Sequence, residues 1–367
     1  MLAHPITDLN VRVSRLGVAL QPDGNPSEVE GTLNPACARS RNNELLLYPR
    51  DVARGNISRV GLVRARVGAG GQYTFERSGF ALEPDAPYEL RPSPGYGCED
   101  PRVTFVAALD LYLMAYTAFG PQGPRIAVAS SQDGVSWQRI GLLRFGKPGM
   151  NIGDDKNAAF FPEPVLSPKG VKSLAFYHRP MLHLSAVDGR AAIPMIERMP
   201  FEDRESIRIG YVPFDPVLQD RTNVLDVHES EITMSPNADW GSLKLGAGTP
   251  PVRIAEGWMS LYHAVDVLDG SAAKPKLRYS AGVMIHDIER PHIVVYRSPQ
   301  PVLVPELEGE RIGIVDNVVF PTGLDPRPDI GDRTFDIYYG MADWAIGAAR
   351  MTLPETPAAQ EPAESAA

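Results

Sequence analysis

Short apolar runs, many alternating with polar residues and rich in aromatic and β-branched side chains, recur along the whole chain. Leu111–Thr117 (LYLMAYT), Trp258–Ala264 (WMSLYHA) and Phe335–Tyr339 (FDIYY) are the clearest. A period of two over so few residues predicts strands. Helical spacing is sustained nowhere over 12 residues or more, and only Phe201–Ile209 has room for one or two helical turns. The expected fold class is all-β.

A weak repeat organises these strands: one ends in Tyr, a small or polar insertion follows, and a second runs into a turn. The fullest copies are Tyr112 to Trp137, Trp258 to Asp287 and Phe335 to Met351, with a partial copy at Ser173 to Pro180. Tyr48, Tyr116, Tyr177, Tyr262 and Tyr339 mark the units, at spacings of 68, 61, 85 and 77 residues. Each interval holds four short strands with loops, and five such units predict a five-bladed β-propeller. Tandem two-sheet sandwiches with long insertions have the same strand content and are the alternative architecture.

Composition narrows the picture. A chain of 367 residues suits two ordinary domains or one large repetitive β architecture. With 43% hydrophobic and 22% charged residues, a folded, soluble protein is expected. Gly and Pro, 33 and 35 residues, are scattered as turn signals rather than gathered in a linker. From Pro354 to Ala367 the chain (PETPAAQEPAESAA) offers almost nothing to bury. The expected division is therefore a catalytic propeller over 1–353 and a disordered tail over 354–367.

The net charge of −9, without a basic run, argues against nucleic acid as a partner. Cys37 and Cys98 stand 61 positions apart with no ligand spacing around them, so neither a disulfide framework nor a metal is expected. No stretch reads as a signal peptide or membrane span, which makes the cytoplasm the default location and excludes a membrane partner.

In a propeller, inner strand ends from every blade meet at a central channel, so candidate chemistry is sought in polar residues held inside turn-bounded strands. The sharpest is Gly97-Cys98-Glu99-Asp100-Pro101-Arg102. Its proline keeps the preceding residue out of the helical region. The same motif also fits a plain turn in which Asp100 caps its own backbone and Arg102 pairs with Glu99. Further polar spots are Asn34, Arg39, Arg50, Arg59, Lys156, Asn157, His178, Arg179, Lys244, His263 and Asp343. Together they supply an acid and a set of cations.

The motifs NPACARS, GCEDPRVT followed by YLMAYTA, DKNAAFFPE, YHRP, LKLGAGTPP, GWMSLYHAV, VDNVVFPTG and YYGMAD stand in an order that resembles glycoside hydrolase family 130 from about Asn34 to Met351. That family consists of five-bladed propellers acting on β-mannosides, mostly as inverting phosphorylases. The segment Leu182 to Asn237 departs from the pattern. The resemblance implies that Asp100 is the general acid, its proton passing through a hydroxyl of the bound mannosyl unit. It implies that Lys156, Asn157, Arg179, Lys244 and His263 bind phosphate, the first and the last three as cations. Asn34, Arg50, Arg59, Glu99 and Asp343 would then hold the sugar.

Phosphorolysis needs only the acid, because phosphate arrives as the nucleophile, whereas inverting hydrolysis needs a second carboxylate to activate water. The full basic set favours phosphorolysis. A β-mannoside hydrolase on the same scaffold, or a non-catalytic sugar-binding propeller, is the alternative. The expected partner is a carbohydrate, the expected co-substrate inorganic phosphate, with no cofactor. The linkage, the acceptor sugar and the oligomeric state, with which a homo-oligomer is compatible, are left open.

Overall fold

The computed structural model describes residues 9–68, 73–146, 153–182, 189–270 and 275–354. Strands dominate, and the predicted strands appear with slightly wider limits as Leu111–Gly120, Gly257–Asp269 and Thr334–Met341. They are organised in antiparallel meanders. The first runs Thr32–Arg39, Leu45–Ala53, Ile57–Val67 and Tyr73–Leu82. The second runs Tyr96–Val106, Leu111–Gly120, Gly123–Ser131 and Gln138–Leu142. Parallel pairing of Ile57 with Tyr96 and Ser58 with Gly97 joins these two into one eight-stranded sheet.

A third sheet is built on Asp155–Phe160, Lys172–Pro180, Ile207–Pro213 and Glu229–Met234. A fourth is built on Lys244–Ala247, Gly257–Asp269, Lys276–His286 and Val294–Arg297. The remaining four-stranded sheet consists of Val319–Pro326, Thr334–Met341, Ala345–Thr352 and, on its outer edge, the N-terminal strand Arg12–Leu20. Arg12 sits opposite Thr352 and Leu20 opposite Ile346, so the first and last described strands are stitched into one sheet.

All five marker tyrosines lie on the second strand of their meander and are buried to 2% exposure or less. Three face a small residue on the first strand, namely Ala36 opposite Tyr48, Ala159 opposite Tyr177 and Ala247 opposite Tyr262. The ring needs that room. Apolar clusters fill the spaces between consecutive meanders, and one of them, with Cys37, Leu47, Tyr338 and Ile346, joins the last meander to the first. At about 25 cal/mol per Å² of apolar area buried, these inter-sheet cores supply the main stabilising force.

The expected helical turns at Phe201–Ile209 are corrected: only Phe201–Asp203 winds into a short 3-10 turn, and Ile207 already belongs to a strand. Ile207 and Ile209 are fully buried in the sheet core, and that burial outweighs local helix preference. Among the described residues three α-helices went unpredicted, one of them the single turn Glu308–Arg311. Gly189–Arg198 contains Pro194, a helix breaker in most contexts, and Phe214–Gln219 is only six residues long. Both fall in the segment that departs from the family pattern. No described helix is long and apolar enough to cross a membrane. The proposed tail, from 355 onward, lies outside the described residues.

Candidate active site

Three first strands carry an irregularity at the same place. Between Leu33 and Ala36, between Glu99 and Arg102, and between Lys156 and Ala159, the register shifts by one extra residue. In each, the first inserted residue has a positive φ: Asn34 at 44°, Asp100 at 48° and Asn157 at 62°. Asn and Asp tolerate this left-handed region better than other side chains, and a bulge re-aims the side chain it carries. Pro35 and Pro101 follow, where the disrupted ladder does not require their missing N–H. Neighbouring glycines make room: a Cβ on Gly340 would lie 2.0 Å from Asn34 Oδ1, and one on Gly246 would lie 2.3 Å from Asn157 Nδ2.

The bulges bring an acidic group together. Asp100, 7% exposed, accepts a hydrogen bond from Asn34 Nδ2 at 2.9 Å and another from Arg50 Nη1 at 3.3 Å. Arg50 also reaches Glu99 Oε1 at 2.9 Å, while Lys156 Nζ donates to Glu99 Oε2 at 3.0 Å. The simple turn with an Arg102–Glu99 pair is therefore not what forms. Arg102 instead donates to the carbonyls of Asp100, Gly248 and Ala247, at 2.8, 3.0 and 3.2 Å.

Burial pushes the Asp100 carboxyl up, but Arg50, Arg102, Lys156 and the Asn34 amide outweigh it and hold the group below its usual range. Asp343, at the tip of the hairpin after Thr334–Met341, behaves in the opposite way. Burial, partly offset by Arg50 and reinforced by Asp100, pushes it up to about 6. Two carboxylates with opposed biases thus share one cationic environment.

A raised carboxyl pKa favours the folded state while protonated, and that contribution is lost as pH rises from about 4 through about 6. A rise of this size corresponds to at most about 3 kcal/mol, reduced to about 1–2 kcal/mol because the side chain is only half-buried. Asp343→Asn is therefore expected to melt at a higher temperature than wild type at pH 7 to 8, with the gap closing toward pH 4. A gap that does not change with pH would contradict this assignment of the buried charge.

The basic side of the site lies on the third and fourth sheets. Lys156 and Arg179 are cross-strand partners, and Arg179 is 5% exposed. Its backbone N–H donates to Asp155 Oδ1 at 3.1 Å, and its Nε lies 3.3 Å from Glu205 Oε2. Asn157 Nδ2 is 3.3 Å from His263 Nε2. If the amide donates, the imidazole proton sits on Nδ1, which has no hydrogen-bond partner among the described residues. Lys244 lies close enough for its charge to act on both His263 and Glu205, and its Nζ stands 5.7 Å from the Tyr279 ring centre.

Two sequence expectations are corrected here. His263 is not a cation: burial first, then the charges of Arg179, Arg102 and Lys244, push its pKa well below the usual value, so it acts as a neutral donor. Arg59 does not join the cluster. Strand alternation turns it to the face opposite Ser58, whose Oγ accepts from Arg50, and Arg59 instead lies over Phe80 and 3.7 Å from Glu83. The polar spots His178 and Arg39, to which the resemblance assigns no role, are satisfied within the fold, His178 by Asp155 and Ser230 at 2.7 and 2.8 Å and Arg39 by Asp325. Glu205 was missed. It sits in the charged stretch Glu202 to Glu205, where no local pattern separates a site carboxylate from a solvated one.

A family model described as beta-1,4-mannooligosaccharide phosphorylase matches residues 4–200 and 201–356. A 1,2-beta-oligomannan phosphorylase of Thermoanaerobacter sp. (strain X514) is 31% identical over 262 residues, covering 71% of this chain and 69% of the relative. A beta-1,4-mannooligosaccharide phosphorylase of Ruminococcus albus is 32% identical over 148 residues, 40% of this chain and 42% of that one. Among solved structures, the beta-1,2-mannobiose phosphorylase of Listeria innocua superposes with a TM-score of 0.67 at 20% identity, covering 94% of this chain and 97% of that chain.

Proposed function

The chain belongs to the beta-1,4-mannooligosaccharide phosphorylase family, glycoside hydrolase family 130, and from that premise we propose that it is an inverting β-mannoside phosphorylase. The observation that carries this reading is the juxtaposition of one buried acid, Asp100, with a separate basic group of Lys156, Arg179 and Lys244 beside the neutral donors Asn157 and His263. Family membership also supports reading the meanders as five blades of one catalytic propeller over 1–353.

In this mechanism the basic group strips water from phosphate and aims one oxygen at the anomeric carbon. The phosphate oxygen forms a bond to that carbon as the bond to the leaving sugar oxygen breaks, with inversion. The leaving oxygen takes the Asp100 proton, directly or through a mannosyl hydroxyl, and the products are mannose 1-phosphate and the shortened sugar. In the empty site the neighbouring cations hold Asp100 ionised. Phosphate brings negative charge to the Lys156 side and weakens that bias, so the acid gains its proton together with its co-substrate. Asn34, Arg50, Glu99 and Asp343 hold sugar hydroxyls through multiple hydrogen bonds.

Incubation with β-1,2- and β-1,4-mannooligosaccharides, with and without phosphate, tests the reading. Mannose 1-phosphate formed only with phosphate is expected. Free mannose formed regardless of phosphate would make the protein a hydrolase.

Arg179→Ala and Lys244→Ala are expected to raise the KM for phosphate by about 10- to 100-fold each, since a hydrogen bond to a charged group contributes roughly 1.5–3 kcal/mol. Mannoside affinity should change little. Steady-state kinetics with phosphate as the varied substrate checks this, and unaltered phosphate KM in both variants removes the basis for phosphorolysis.

A further inference from the structure

Among the cations of the site stands a carboxylate that phosphorolysis, as described above, does not use. Glu205 is close to fully buried, with 11% of its side chain exposed against 6% for Arg179. Its Oε1 accepts from the backbone N–H of Leu182 at 3.3 Å, which fixes the carboxylate in place. Its Oε2 lies 3.3 Å from Arg179 Nε, yet neither atom has a hydrogen-bond partner among the described residues. The two groups are held by charge without the directed bond that a buried guanidinium and carboxylate normally form. Arg179 keeps a buried N–H available, and Glu205 keeps a buried lone pair. Burial pushes the Glu205 pKa up, but Arg179, Lys244, the Leu182 N–H and Lys156 together hold it below its usual value, so the carboxylate is ionised at neutral pH.

We propose that Glu205 is an internal counter-anion that sets the affinity of the phosphate site: it balances Arg179 and Lys244 while the site is empty and opposes the phosphate dianion once it binds. The inference rests on the phosphorylase reading and deepens it. Buried cations without a counter-charge are costly, and the same cations without an opposing anion would retain mannose 1-phosphate as firmly as they capture phosphate. A carboxylate close to Arg179 but not hydrogen-bonded to it meets both requirements.

The test is Glu205→Gln, which keeps the shape and the acceptor for the Leu182 N–H while removing the charge. Phosphate KM is expected to fall at least about threefold, the scale of a single screened like-charge contact, while mannoside KM stays within about twofold. Without phosphate the variant should melt below wild type, and added phosphate should raise its melting temperature more than that of wild type. Merely structural damage would not tighten phosphate binding. An unchanged or raised phosphate KM overturns the inference.

If Glu205→Gln does not fold, Glu205→Asp, which withdraws the charge from Arg179 by one methylene, should lower phosphate KM in the same direction, and a rise overturns the inference. Calorimetry with inorganic phosphate separates the two readings. Wild type that neither binds phosphate nor cleaves in its presence overturns the phosphorylase assignment. It overturns the Glu205 inference as well unless Glu205→Gln gains phosphate binding.

Discussion

Asp100→Asn should lower phosphorolysis by at least about 100-fold, the lower end of what a positioned general acid contributes, while the protein folds and binds sugar nearly as wild type. Asn occupies the same volume, tolerates the φ of 48° that the bulge imposes, and can still accept from Asn34 Nδ2 through its amide oxygen. The proton is what it lacks. The loss should fall on kcat, since the acid acts on the leaving oxygen only as the bond breaks. It should appear equally in the synthetic direction, where the same carboxylate must take a proton from the attacking sugar hydroxyl. Thermal melting and mannoside binding establish that the variant is folded. Turnover within threefold of wild type in either direction removes Asp100 from the chemistry and directs attention to Asp343, a carboxyl beside Arg50 whose pKa burial raises to about 6.

Much of the architecture was legible because the repeat is written in large buried residues. Tyr48, Tyr116, Tyr177, Tyr262 and Tyr339 are each buried on the second strand of a meander, and three of them, Tyr48, Tyr177 and Tyr262, pack against a small cross-strand partner that a different ring would not fit as well. The segment from 182 to 237 was less legible. Its strand Ile207–Pro213 follows a charged run whose spacing also fits a helix, and burial against the neighbouring sheet decides between them.

The site was legible as a roster of residues and not as an arrangement. Asn34-Pro35, Asp100-Pro101 and Asn157-Ala158 look unrelated along the chain, yet each is the same two-residue bulge on a first strand. An Asn or Asp at a fixed distance before the next inward residue was the available signal. What no linear pattern carries is the sign of a group's environment. His263 reads as a cation until three real cations and full burial surround it, and Arg59 reads as a site residue until strand alternation turns it away.

The largest effect on stability is expected from Arg102→Met. Arg102 is 1% exposed and is among the largest side chains that are fully buried. Its three hydrogen bonds run to backbone carbonyls, two of which, Ala247 and Gly248, lie about 146 residues away on the fourth sheet. The guanidinium therefore clamps the strand bearing Asp100 to the end of the strand Lys244–Ala247, with its charge resting 5.7 Å from the Phe320 ring centre. Burial lowers the Arg102 pKa to about 10, with Asp100 opposing and Arg179 adding to the fall, so it remains protonated at neutral pH.

Methionine fills a similar length of the cavity but leaves three carbonyls short of a donor, each worth roughly 1–3 kcal/mol when buried. The gain from no longer burying a charge offsets part of this, and a net loss of about 3 kcal/mol or more is expected. Arg102→Lys should recover little, because a single ammonium cannot span carbonyls that the planar fork reaches in three directions. The measurement is the shift in denaturant midpoint for both variants. A loss under about 1 kcal/mol for Arg102→Met would mean that the opposing strands hold their spacing without the clamp. In that case the bulge at Asp100 would be fixed by its own register and by Asn34 and Arg50.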